Sequence, residues 1–223
     1  MDENKKPTDF LSPKFTKLFE EQEKLYEERR KTIKRGDNVV HLQYIGELNE
    51  IELQEINNIL AAVELELSSY NTSGFLYNSI DDYRFITSIA LSYPIITSLL
   101  TGLAPNIIWD TIKYIIIHIW RKNKGKKYNR LFGGTIEEKE ITFGLHVNLD
   151  QYTSFDFELK GDVSDKAIVD SLDKVLDFLR ERELYKKPHI PDYVYYDLAN
   201  KKWVKVDVFE EIIKKANNNS HSE

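Results

Sequence analysis

The sequence predicts an α+β fold: a largely antiparallel sheet packed by amphipathic helices, with an N-terminal helical arm and a C-terminal hairpin plus short helix. Three observations lead there. "ITFGLHVNLD" and "YTSFDFELKG" alternate apolar and polar residues and lie close enough in sequence to pair as a hairpin. Several longer segments repeat apolar residues at helical spacing instead. The two kinds of segment are interspersed along the chain, and no internal repeat or heptad run is present.

Residues 1–10 are polar and read as disordered. Ser12 as N-cap and Pro13 at the first helical position open a helix that ends near Gly36 and Asp37. Its stripe runs through Phe15, Leu18, Phe19, Gln22, Leu25 and Tyr26, so this arm needs a surface to pack on, in its own body or on a partner. "NVVHLQYIG" reads as a strand and residues 48–70 as one helix striped by Ile56, Ile59, Leu60, Val63 and Leu67. "GFLYNS" reads as a short strand, 83–93 as another.

Between Phe85 and Trp109 no residue is charged, and the apolar run ends in a basic tract. About 20 apolar residues can span a bilayer. Pro94 and Pro105 interrupt such a span, and seven Ser, Thr and Asn residues dilute it. Ile108, Ile112, Ile115, Ile116 and Ile119 share one helical stripe, with Asp110, Lys113, Tyr114, His118 and Arg121 opposite. A spanning helix would place Asp110 and Lys113 in lipid, at about 2.5–3.5 kcal/mol each. The expectation is therefore a core helix over 103–121.

A basic connection covers 121–134. In the hairpin that follows, a turn near Gln151–Thr153 places 145 opposite 159, 147 opposite 157 and 149 opposite 155. Ser164 caps a helix to about 183, striped by Ile168, Leu172, Val175, Leu176 and Leu179. "YKKPHIP" breaks the pattern. "DYVYYDLANKKWVKVD" reads as a second hairpin turning at Ala199 and Asn200, "VFEEIIKKA" as a short helix, and "NNNSHSE" as a frayed tail. This divides the chain into an arm (1–36), an α+β core (37–184) and a C-terminal hairpin unit (185–223), together one domain.

At 223 residues, with 41% apolar and 30% charged, the chain can hide about 70% of its unfolded surface. A net charge of −6 argues against non-specific nucleic-acid binding by the whole surface. With no cysteine, disulfides, thiolate metal sites and cysteine nucleophiles are excluded. The polar N-terminus carries no signal-peptide pattern, so a soluble, cytoplasmic protein is expected. The Asn71 and Asn218 glycosylation patterns are then chance matches. Usage leaning to Lys, Asn, Ile and Tyr goes with a bacterial or phage source.

Phosphate-loop, dinucleotide, nucleophile-elbow and zinc-protease motifs are all missing. Three constellations remain. The wet face of the first hairpin carries His146 opposite Glu158, and Asn148 opposite Asp156, with Asp150 beyond. Such a set can bind a hard metal or supply a base, although a wet sheet face carries such residues anyway. Arg121, Lys122, Lys124, Lys126, Lys127 and Arg130, beside Tyr128 and Phe132, form a polyanion-binding candidate. The same charges also suit the C-terminal end of a helix. Tyr193, Tyr195 and Trp203, with Phe15, Leu18 and Phe19 of the arm, form a protein-interface candidate. The resulting expectation is a binding or protein-interaction module, engaging a protein partner or a second copy, with no cofactor and no metal. The alternatives are a membrane-associated effector using 94–120 with the basic tract, and a metal-dependent hydrolase or nuclease using His146 and the hairpin carboxylates.

Overall fold

The computed structural model describes residues 13–73, 87–102, 106–132, 135–150, 153–159, 163–183 and 192–207. The expected strand at 74–79, the 185–191 break and the helix after 207 lie outside the described residues.

Helix α1 (Pro13–Arg30) starts at the proline, as expected. Its C-terminal end is tied to the body: Arg29 Nη2 donates to the Ser73 carbonyl at 2.8 Å and the Lys34 amide to Ser68 Oγ at 3.0 Å. Tyr26 is 59% exposed. The side chains of Phe15, Leu18 and Phe19 lie outside the description.

Strand β1 (Val39–Tyr44) is followed by α2 (Glu50–Ala61). Asn49 caps α2 in a capping box: Oδ1 accepts the Glu52 amide, and the Glu52 carboxylate accepts the Asn49 amide, each at 3.0 Å. The expected 48–70 helix therefore stops early. Glu64 adopts a left-handed conformation, φ 60°, and the Leu65 amide bonds back to the Leu60 carbonyl at 3.0 Å. The chain then extends as β2 (Glu66–Asn71). The i,i+4 spacing of Val63 and Leu67 imitates a helix, while the alternation of Leu65 and Leu67 belongs to a strand.

Strand β3 (Thr87–Leu91) precedes two helices, α3 (Tyr93–Leu100) and α4 (Asn106–Asn123). Pro94 falls in the first turn of α3, where its missing N–H costs nothing. Along α4, Ile112, Ile115, Ile116 and Ile119 are buried, as the stripe predicts. The basic connection is not a loop: β4 (Lys127–Phe132) and β5 (Thr135–Glu140) form a separate two-stranded antiparallel ribbon.

Strands β6 (Phe143–Asn148) and β7 (Ser154–Leu159) make the predicted hairpin. The register differs by two residues: Leu145 faces Phe157, Val147 faces Phe155 and Phe143 faces Leu159. The turn is tighter than expected, closed by Leu149 N–H to the Thr153 carbonyl at 2.9 Å and Thr153 N–H to Asp150 Oδ1 at 2.7 Å. An even shift keeps every apolar side chain on its own face. The 164–183 helix is capped by Ser164 and divides at Lys174 into α5 (Asp165–Asp173) and α6 (Val175–Glu183). Strands β8 (Asp192–Asp197) and β9 (Lys202–Val206) form the second predicted hairpin.

The main sheet has seven strands in the order β2-β1-β3-β6-β7-β8-β9. Pairings alternate strictly along it. β2/β1, β3/β6 and β7/β8 are parallel, while β1/β3, β6/β7 and β8/β9 are antiparallel. With the ribbon, antiparallel pairs are in the majority, in an α+β architecture. Parallel neighbours need a crossover connection. The three crossovers carry α2, then α3 and α4, then α5 and α6.

These helices share one apolar core with one side of the sheet, spanning Val40 to Trp203. Val40, Leu42, Ile89, Leu91, Leu145, Val147, Phe155, Phe157, Val194 and Trp203 point into it. Phe157 packs edge-on against both Phe178 and Trp203, with ring centroids 5.5 and 4.8 Å away.

Candidate functional site

With the core on one side, alternation sends the remaining strand residues to the opposite side of the sheet. The register assembles them into rows. One row reads Ser68, His41, Ala90, His146, Asp156, Tyr193, Val206. The next reads Tyr70, Gln43, Ser88, Gly144, Glu158, Tyr195, Val204. This second face gathers imidazoles, carboxylates, an amide and tyrosines around small residues on β3 and β6.

His146 is therefore opposite Asp156 and not Glu158, and Asn148 is opposite Ser154. The imidazole Nδ1 lies 2.5 Å from Asp156 Oδ1, and Nε2 lies 3.2 Å from Asn148 Oδ1. Both ring nitrogens face oxygens, an arrangement that a doubly protonated imidazolium satisfies. Burial by itself would lower the His146 pKa. The Asp156 carboxylate outweighs that and holds it above the ordinary 6.5, with Asn148 helping. Two strands away, burial lowers the pKa of His41. Strand spacing of about 4.8 Å puts the two histidine backbones about 10 Å apart, with Ala90 between them. Tyr70 donates its hydroxyl to Gln43 Oε1 beside them.

Glu158 faces Gly144 on one side and Tyr195 on the other. It is half-buried, and among the described residues nothing bonds to its carboxylate. Tyr195 is 41% exposed. Its companions in the interface candidate are placed differently. Tyr193 shares its face but is only 7% exposed. Trp203 points the other way, into the core, at 6% exposure, and donates Nε1–H to the Ser171 carbonyl at 2.9 Å. Trp203 is a core residue because β9 pairs Tyr196 with it, and both rings meet on the helical side. Of the three, Tyr193 and Trp203 are buried and Tyr195 is exposed.

The basic tract is largely answered within the chain. Arg121 pairs with Asp165 at 2.9 Å, Lys122 with Glu52, and Lys127 with Glu138 at 2.9 Å. Lys124 Nζ donates to the Val163 carbonyl at 3.2 Å. Lys126 is exposed, and the Arg130 side chain lies outside the description. The signal missed in the sequence is the acid content of the partner elements: β5, paired with β4, carries Glu137, Glu138 and Glu140.

Among the described residues, no group of three or more His, Asp or Glu side chains gathers to hold a metal. No described helix is long and apolar enough to cross a membrane. An apolar groove of about 220 Å³ lies between α3, α4 and the start of β2, lined by Leu65, Pro94, Ile95 and Ile108, with Asp37, Asn38 and Ser98 among its lining residues.

His41, Gln43 and Tyr70 join the face only because β1 and β2 are laid beside β3 and β6. Their alternation was readable in β1, but the crossovers that bring them to the hairpin were not. No family model, no curated protein and no solved structure matches the chain.

Proposed function

We propose that this chain is a binding module that engages a protein partner through the second face of its seven-stranded sheet. One observation carries the reading. The helices α2 to α6 serve a single core on one side, and the other side presents His41, Gln43, His146, Asp156, Glu158 and Tyr195 around small residues on the central strands. An antiparallel or mixed sheet can leave one face wet with no special purpose. A face that combines a half-buried carboxylate, unanswered among the described residues, with an exposed tyrosine goes further, since aromatic residues are favoured contact anchors.

A proton-transfer role is the second reading, favoured by the short contact between His146 and Asp156. Its weakness is that Nε2, the nitrogen that would meet a substrate, already faces Asn148.

Photo-crosslinking tests it. A benzophenone amino acid replaces Tyr195 in one full-length protein and the exposed Tyr114, on α4, in another. Irradiated in host cells, the first gives a discrete partner adduct and the second does not. Adducts from position 114 alone, or from neither, overturn the reading.

A further inference from the structure

We infer that the Glu158–Tyr195 neighbourhood receives a cationic side chain, a guanidinium or ammonium, from a basic segment of the partner. The inference rests on the second face being the binding surface and names the chemistry it selects.

The other described acids of that face are already answered. Glu66 is paired with Lys34 at 2.5 Å. Asp156 is paired with His146. Asp197 accepts from Asn200 and the Ala199 amide in the hairpin turn. Glu158 alone is left, half-buried and without a partner among the described residues. A partly buried carboxylate with no counter-charge among the described residues favours a cation that supplies one.

Among the described residues, the cations at this face are already engaged: Lys34 with Glu66. On β1, β2, β3, β6, β7 and β8, no outward position holds Lys or Arg. Lys202, on the edge strand β9, faces Asp197 instead. His146, on the neighbouring strand β6, is already engaged on both nitrogens.

Tyr195 specifies the cation further. It lies one strand from Glu158 and is 41% exposed. An aromatic face attracts a cation within about 6 Å of its centre. A carboxylate beside such a ring suits a flat guanidinium, which can be hydrogen-bonded in its plane and stacked on its face. A metal ion fits less well, since no set of three ligands gathers among the described residues. Anions are repelled.

The test uses the full chain, isotopically labelled, with a tetra-arginine peptide and its neutral isostere, tetra-citrulline, at low salt. The arginine peptide shifts the backbone amide signals of Gly144, Glu158 and Tyr195 saturably, and citrulline does not. Glu158→Gln, which keeps shape and backbone pairing, weakens binding at least about tenfold. Tyr195→Leu weakens it severalfold while leaving the fold intact. Equal shifts with citrulline, or full affinity in Glu158→Gln, overturn the cation while keeping the face as a binding surface. Shifts confined to α2–α6 overturn both. Silence throughout overturns the cation, and the crosslinking result then decides the face by itself.

Discussion

His146 on β6 and Asp156 on β7 stand directly opposite each other, with Nδ1 2.5 Å from Oδ1, and the second ring nitrogen faces Asn148 at 3.2 Å. The pair is half-buried, so its charge state is coupled to folding.

Burial opposes the charged imidazole, but Asp156 prevails, and the folded-state pKa of His146 lies above the ordinary 6.5. The folded protein therefore binds this proton more tightly than the unfolded chain. The resulting stabilisation is fully present below the unfolded value and is lost as pH rises through the folded one. His41 acts in the opposite sense. Burial lowers its pKa, so its contribution holds above 6.5 and is lost as pH falls through the folded value. Urea midpoints measured from about pH 5 to 9 should fall toward the alkaline side. Asp156→Asn should flatten that decline, and His41→Gln should flatten the acid limb. An alkaline decline unchanged in Asp156→Asn would show that the pair is not its source.

Trp203 joins the C-terminal hairpin to the helices. Its ring meets Phe157 and Tyr196 edge-on, and its Nε1–H serves the Ser171 carbonyl. Trp203→Ala should cost about 3–5 kcal/mol by opening a cavity among those rings. Trp203→Phe keeps much of the packing and loses one of the two bonds to the Ser171 oxygen, which still accepts the Lys174 amide at 3.1 Å, so it should cost about 0.5–1.5 kcal/mol. Chemical denaturation separates the two, and a surface role for Trp203 would predict almost no change in either.

The start of α2 depends on Asn49 and Glu52 answering each other's backbone amides. Asn49→Ala should cost about 0.5–2 kcal/mol, whereas Asn49→Asp, which retains the acceptor, should cost little. Glu52 also pairs with Lys122, and the Lys122 side-chain bond is the main reason its carboxyl pKa is lowered. This ties the helix start to the end of α4. Thermal unfolding of the two Asn49 variants distinguishes a cap from a bystander.

Elements with a clean period were legible in the sequence. The α4 stripe and the β6–β7 alternation needed no tertiary information, because each apolar set defines its own buried face. Glu66–Asn71 was misread as helix because Leu67 continues the i,i+4 spacing from Val63 and the left-handed residue that ends the helix is a glutamate rather than a glycine. The ribbon β4–β5 was misread because its charges resemble a solvated loop. His146 and Asp156 were both singled out, but their partnership was not. A two-residue change of register preserves the apolar faces while exchanging every polar neighbour.

The sequence by itself determined the fold class, the core positions of α4 and the two hairpins, and which residues of each hairpin turn away from the core. Local periodicity carries that information. Only the tertiary structure decided that three helical crossovers set parallel pairs between the antiparallel ones. It alone brought His41 into the row of His146, paired the basic tract with acids, and left Glu158, beside Tyr195, without a partner among the described residues. Those relations depend on which strands become neighbours and in what register. That choice is made by the packing of the whole core rather than by any segment read alone.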